Sequence, residues 1–386
     1  MSSRRVFASV VVFLVTAGWA ANHFASVLAV LREQLHLSQL LVNGAYGIYA
    51  LGLLPSLLAG GALADRFGGR PIVIVGSLAA ALGNLVLMIF HGPAGLMVGR
   101  LIVGLGVGLV ISPGTAWAAR LRGASGATVA GIVLTSGFAL GPVISGLAAY
   151  TFTPVWVPFA LTIAASLAAI VFSAATGDLP RARMVAEQQE TQTRLEPGAS
   201  AGKALATAVP VAVWVFAAIT TSLVGLAARV AEYFTTGVFL PGIAAVVGFG
   251  TGLVMQALGR RFNWGTYSGV AGIALAAAGF LVVGLGGATP PLALFFFSTV
   301  LLGGAYGLCL RDGLLDVNAY APPSHRGRVL GAYYAATYIG FSLPPLIQWL
   351  EPRVGPSLPF FVLSGLAACA VALRTRQIRS GYLGRR

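Results

Sequence analysis

Twelve apolar runs, each about as long as a bilayer crossing, limit what this chain can fold into more than any other feature. They lie near residues 6–31, 40–62, 71–90, 94–118, 126–149, 154–175, 207–231, 236–258, 265–287, 290–312, 328–349 and 357–374. A helix needs roughly 20 mostly apolar residues to cross the hydrocarbon core, because every backbone N–H and C=O must be satisfied within the segment. The chain has 386 residues, of which 57% are hydrophobic, and its mean hydropathy is +0.87. A soluble domain of this size has too little interior to hide that much apolar surface. The expected fold is all-α and membrane-embedded.

Charge gives the orientation. Of the 24 basic residues, all but Arg32, Arg100, Arg229 and Arg353 fall on one side when both termini are placed in the cytoplasm. That is the positive-inside asymmetry. The net charge of +14 is therefore read as a topology signal and a contact with anionic lipid, not as a nucleic-acid footprint. Arg4 and Arg5 hold the first end inside. Cys309 and Cys369 lie in separate apolar runs, so neither a disulfide nor a metal site is expected.

One stretch breaks the apolar pattern sharply: Gly61-Ala-Leu-Ala-Asp65-Arg66-Phe67-Gly68-Gly69-Arg70. It is a charged, glycine-rich turn between the second and third runs. Leu63-Ala64-Asp65-Arg66-Phe67 has an echo 195 positions on, Leu258-Gly259-Arg260-Arg261-Phe262. Arg122-Gly123 returns as Arg326-Gly327, 204 positions on, and the glycines of run 4 return as Gly303, Gly304 and Gly307. These offsets argue for a six-span unit duplicated in parallel, a plan found in transporters. The expected organisation is an N-terminal six-helix bundle over 1–175, a cytoplasmic linker over 176–206 and a C-terminal six-helix bundle over 207–386. The bundles are expected to be pseudo-symmetric around a central cavity.

Polar groups inside apolar runs are costly and should face inward. Span 1 carries Thr16, Trp19, Asn22, His23 and Ser26, mostly on one helical face; span 2 carries Asn43, Tyr46 and Tyr49. Arg100 costs at least ~2.5 kcal/mol at mid-span, so it should face the interior and bind something, or else snorkel. Arg229 and Glu232 are three apart and able to pair. At depth Glu232 is the best carboxylate proton carrier; at the outer mouth the two are a structural ion pair. His23 titrates near neutral pH when unperturbed, which fits proton coupling, substrate contact or a hydrogen bond between helices. Tyr333, Tyr334 and Tyr338 either wall a cavity or pack. Gly137, Gly141 and Ser145 make a small-residue face for close helix packing. Pro142 removes a donor and should bend the helix near the carbonyl of Phe138.

These motifs resemble the major facilitator superfamily over nearly the whole chain. Gly61, Asp65, Arg66, Gly68 and Arg70 fit the family's signature between spans 2 and 3, with Gly69 in place of a basic residue. Leu96, Arg100, Gly104 and Gly106 look like the span 4 motif of proton-coupled members, with Val103 where glutamine is usual. Gly137, Gly141, Pro142, Ser145 and Gly146 are similar to the span 5 motif of drug and metabolite antiporters. The resemblance implies that Asp65, with Arg66 and Arg70, gates the cytoplasmic side by bracing the start of span 11. It departs from many drug exporters in span 1, where Asn22 and His23 stand and no acid is secure.

The combined expectation is a secondary transporter working by alternating access, exporting a small amphipathic or drug-like molecule in exchange for protons. Arg100, Glu232, His23 and Arg229 are candidates for coupling or for holding substrate charge. Trp19, Asn22, Asn43, Tyr46, Tyr334 and Tyr338 are candidates for lining the cavity. Gly137, Gly141, Pro142 and Gly146 are candidates for packing and bending. The alternatives are transport of an organic anion or other small metabolite, and a non-transporting receptor, which would have no need of buried charge. Gly104-x-Gly106-x-Gly108 lies inside a span, so it is no nucleotide loop. With no nucleophile–base pair and no metal spacing, neither an enzyme nor a cofactor is expected beyond the proton gradient. The expected setting is a monomer in the cell's inner (cytoplasmic) membrane, its partners being lipid, protons and substrate.

Overall fold

The structure, a computed structural model, describes residues 3–27, 31, 36–37, 39–151, 156–176, 198–231, 233–234 and 240–384. Helix is the only regular structure among them. In chain order these are α1 (Ser3–Asn22), α2 (Gln39–Phe67), α3 (Gly69–Ile89), α4 (Pro93–Thr151) and α5 (Val157–Thr176). Then come α6 (Ala201–Thr220), a π-helical stretch Thr221–Leu226, α7 (Ala227–Ala231), α8 (Leu240–Arg261), α9 (Tyr267–Gly286) and α10 (Leu292–Tyr320). A short 3-10 turn, Pro323–His325, leads to α11 (Arg326–Tyr338). A second, Ile339–Ser342, joins α11 to α12 (Leu343–Val354), and α13 (Leu358–Arg379) ends the series. Most of the expected linker, residues 177–197, lies outside the described residues, as does Glu232.

Ten of the described helices are long and apolar enough to cross a membrane. One, Pro93–Ala148, is 56 residues long, more than twice what a crossing needs. It is broken at Arg122 (φ −142°) and Gly123 (φ 58°, ψ −138°). The left-handed φ at Gly123 is one a Cβ would disfavour, so α4 folds as two legs and covers two expected spans. The run expected as one span over 328–349 is instead three pieces, α11, the 3-10 turn and α12. Pro344 and Pro345 have no N–H to give back to the carbonyls of Gly340 and Phe341, so the α-helical ladder cannot run through.

The chain forms two compact units, Met1–Leu205 with Leu314–Ala335, and Ala206–Gly313 with Ala336–Arg386. The end of α10 and most of α11 thus belong with the first unit. The packing inverts that of a soluble protein. α3 buries Gly69, Val73, Gly76, Ser77, Ala80, Ala81, Gly83, Asn84 and Leu87, while Val75, Leu78, Leu82, Leu85 and Ile89 are exposed. Large apolar side chains suit lipid tails, and small ones let helix backbones touch.

The glycine series of α4 shows this directly. A Cβ at Gly104 would run into the Tyr49 carbonyl of α2, one at Gly108 into Ser56 and the Leu53 carbonyl, and one at Gly106 into Ala80 of α3. The second unit repeats the arrangement. Gly303 and Gly307 of α10 lie against the carbonyls of Gly248 and Gly252 of α8. All four positions stand 199 residues beyond Gly104, Gly108, Tyr49 and Leu53, so the duplication read from the sequence is in register at these helix crossings.

Candidate functional site

The charged turn is tight because one residue makes it. α2 ends at Phe67, α3 begins at Gly69, and Gly68 between them has φ 89°, open to glycine at no steric cost. Its N–H returns to the Ala64 carbonyl at 3.0 Å. Close to the end of α2, the Asp65 side chain is only 7% exposed. Its carboxylate accepts the backbone N–H of Gly327 at 2.9 Å and of Arg328 at 3.0 Å. Those are first-turn donors of α11, which have no partner within their own helix. A carboxylate there satisfies them and meets the positive end of the helix dipole.

The close approach depends on glycine on both sides. A Cβ at Gly61 would strike the Gly327 carbonyl, and one at Gly327 would strike the Gly61 carbonyl and the Asp65 carboxylate. Ser112 Oγ donates to the Gly327 carbonyl at 3.4 Å. The basic partner of Asp65 is Arg120, 3.7 Å away. Arg326 is buried, close enough to Arg120 and Asp65 to interact with both, and donates to the Asn318 carbonyl at 3.4 Å. Arg70 sits elsewhere, donating to Ser173 Oγ and its carbonyl at 3.3 and 2.9 Å. Arg66 is exposed and lies over the Phe67 ring. Arg120 and Arg326 are separated from Asp65 by long stretches of sequence, and nothing local marked them as its neighbours.

A second polar group lies inside the same unit, toward the far end of α3. His23 is fully buried, and its Nε2 is 2.8 Å from Asn84 Oδ1. Asn84 Nδ2 already donates to the Ala80 carbonyl at 2.9 Å. The Asn84 oxygen is therefore the acceptor, and Nε2 of His23 carries the hydrogen. Nδ1 is then a bare acceptor, buried with no partner among the described residues. Arg100 is 1% exposed, sandwiched between the rings of Phe24 at 4.5 Å and Tyr49 at 4.1 Å. Its Nε donates to the Ala45 carbonyl at 3.4 Å. Aromatic faces stabilise a desolvated guanidinium by roughly 2 kcal/mol. Asn84 is the polar side chain of this group that the sequence did not single out. A lone amide in a glycine- and alanine-rich run carries no signal of its partner.

The remaining candidates are placed singly. The indole Nε1 of Trp19 is buried without a partner among the described residues. Asn22 Nδ2 donates to the Phe138 carbonyl at 3.2 Å, and Ser26 Oγ to the Pro142 carbonyl at 2.9 Å. A Cβ at Gly137 would run into the Val15 carbonyl and one at Gly141 into that of Trp19; Gly146 sits near Ser26. The side chains of Asn43 and Tyr46 lie outside the described residues. Tyr334 is hydrogen-bonded to Thr115 Oγ1 at 3.0 Å. Tyr338 stacks with Phe341 and packs at a tilt against Phe216, ring centroids 5.1 and 4.2 Å apart.

In the second unit Arg229 meets an acid that the sequence did not single out, while the expected partner, Glu232, lies outside the described residues. Arg229 pairs with Glu351 at 3.0 Å and donates to the carbonyls of Gly287 and Pro356. Gly287 caps the end of α9, so Arg229 clamps chain ends at the side of this unit away from the Arg260–Arg261 turn. A deeper pair, Asp312 and Arg374, has both side chains fully buried, 2.5 Å apart. Ser268 donates to Asp312, and Arg374 also holds the Thr207 carbonyl. Four helices are thus tied together around Asp312.

A family model described as Major Facilitator Superfamily matches residues 8–345. The multidrug resistance protein MdtL of Klebsiella pneumoniae (strain 342) is 31% identical over 78 residues, 20% of each chain. The human proton myo-inositol cotransporter is 31% identical over 164 residues, 40% of this chain and 24% of that one. The chain thus matches a fifth to a quarter of the length of these two relatives. Among solved structures, the human organic anion transporter MFSD10 (TETRAN) aligns with TM-score 0.75 at 18% identity, over 97% of this chain and 100% of that one. The proton:xylose symporter XylE aligns with TM-score 0.72 at 13% identity, over 97% and 95%. Those likenesses show the fold. With a family model over most of its length, a multi-pass helical membrane fold and duplicated helix crossings, this chain belongs to the major facilitator superfamily, whose members are secondary transporters, not enzymes, and need no cofactor.

Proposed function

We propose that the protein works by alternating access and exports a small amphipathic or drug-like molecule in exchange for protons, from the cell's inner membrane, with both termini in the cytoplasm. The observation that carries the export reading is the α1–α4 crossing. Gly137 and Gly141 bring the second leg of α4 against the α1 backbone, and Asn22 and Ser26 bond to the carbonyls of Phe138 and Pro142. That is the glycine–proline motif whose resemblance is to antiporters, and a named drug-resistance protein is among the relatives. In this reading the bond from Asp65 to the start of α11, supported by Arg120, holds the cytoplasmic end closed. Glu232 and His23 are the candidates for the proton.

A second reading is favoured by Arg100. A guanidinium held between two rings in the interior of the first unit is suited to an anionic substrate, and an organic anion transporter shares the fold. Purified protein in liposomes with an imposed pH gradient tests both. Proton flux that depends on added lipophilic cations or neutral amphiphiles supports export of drug-like molecules, and loss of coupling in Glu232→Gln assigns the proton to Glu232. Flux with organic anions alone, lost in Arg100→Gln, replaces the first reading with the second.

A further inference from the structure

Both units set a polar side chain of their first helix against a carbonyl whose α-helical donor would be a proline. Pro142 has no N–H, so the carbonyl of Phe138 loses the donor that residue 142 would supply in an α-helix. The side chain of Asn22, on α1, donates to that carbonyl at 3.2 Å. Pro344 likewise withholds a donor from the carbonyl of Gly340. The side chain of Thr220, at the end of α6, reaches that carbonyl at 3.1 Å while also lying 2.7 Å from its own Phe216 carbonyl. The N–H of Leu343 completes the Gly340 carbonyl by a 3-10 bond.

The positions correspond. Asn22 and Thr220 stand 198 residues apart; Phe138 and Gly340, like Pro142 and Pro344, stand 202 apart. The offsets bracket the 199 of the glycine crossings. Close backbone approach recurs too: a Cβ at Gly141 would meet Trp19, and one at Gly340 would meet Ala217, which is 198 residues beyond Trp19. In the second unit both partners are irregular just there. Thr221–Leu226 is π-helical and Ile339–Ser342 is 3-10. π-turns and 3-10 turns inside helices often mark functional hinges.

We propose that Asn22 and Thr220 are positioning residues of a duplicated hinge. Each ties the first helix of its unit to a proline-released carbonyl, in the second leg of α4 or at the α11–α12 junction, and that junction is where the tied helix bends during the transport cycle. A single side-chain bond to a carbonyl can be exchanged at less cost than an α-helical ladder can be broken, which localises the bend. The proposal rests on the alternating-access reading but not on the substrate or on proton coupling.

Two measurements test it. The first is a double-mutant cycle read as the thermal unfolding midpoint in detergent. Thr220→Val removes the hydroxyl at constant shape and lowers the midpoint. In a Pro344→Ala background, where residue 344 supplies the donor, the same change has less than half the effect. Thr220→Ser restores the midpoint, and Asn22→Leu with Pro142→Ala behaves in the same way. Equal effects in both backgrounds overturn the assignment. The second is maleimide labelling of Ser112→Cys, with Cys309 and Cys369 replaced by Ala. Pro142→Ala with Pro344→Ala and Pro345→Ala stiffens both junctions and slows labelling about tenfold, which corresponds to about 1.4 kcal/mol in the opening equilibrium. An unchanged rate overturns the hinge. This readout needs no substrate and no pH gradient, so a failure in the liposome assay leaves it standing.

Discussion

Asp65 and Gly327 act as one fitting at the residue scale. The carboxylate replaces the missing helical partners of Gly327 and Arg328, and glycine at 327 leaves room for it. Gly327→Ala puts a methyl group against the Gly61 carbonyl and the carboxylate. It should cost about 1–3 kcal/mol, as overpacking does, seen as a lower unfolding midpoint in detergent. Arg120→Gln should weaken the same contact, leaving Asp65 with its two backbone donors and Arg326; retention of the parent midpoint and parent labelling rate at Ser112→Cys would remove Arg120 from the account. Asp65 was legible in the sequence because its turn is a local pattern: charge, glycine and a helix start within ten residues. Arg120, Arg326 and Asn84 were not, because their partners come from helices far apart in the chain. Arg229 was legible as a buried cation, but its pairing with Glu351, on another helix, carries no local signal.

At the scale of helices, small residues set the geometry and prolines set the breaks. Gly137, Gly141 and Ser145 were readable as a packing face, and the partner of the two glycines, α1, followed only once the helices were placed; the contacts of Gly104, Gly106 and Gly108 with α2 and α3 were not read from the sequence. The run over 328–349 has the composition of one span, so hydropathy alone joins α11 to α12 across Pro344 and Pro345. Buried charge ties helices as well. Asp312 and Arg374 are both fully buried, and removing one partner strands the other. Arg374→Met should cost about 3–5 kcal/mol, whereas Asp312→Leu with Arg374→Met should recover most of it; midpoints measured for both variants in the same detergent check this. If the double variant is less stable than Arg374→Met alone, the pair stabilises the fold by more than mutual neutralisation.

For the molecule as a whole, duplication is the organising fact. It appears as glycine crossings in register and as two proline-released carbonyls, yet the two charged turns differ. Asp65 stands in the first, whereas the second offers Arg260 and Arg261, both exposed. Only the first can give a carboxylate to a helix N-terminus, which is the contact that the proposed closure requires. The direct test is the rate of maleimide labelling of Ser112→Cys, a buried position against the Gly327 carbonyl, in a background with Cys309 and Cys369 replaced by Ala. Asp65→Asn should raise that rate about tenfold or more, since hydrogen bonds to a charged group contribute about 1.5–3 kcal/mol each. Arg260→Ala and Arg261→Ala should leave it within about twofold, because exposed charges contribute little. Equal acceleration by changes in both turns would contradict the account and leave Gly61–Arg70 a marker of topology alone.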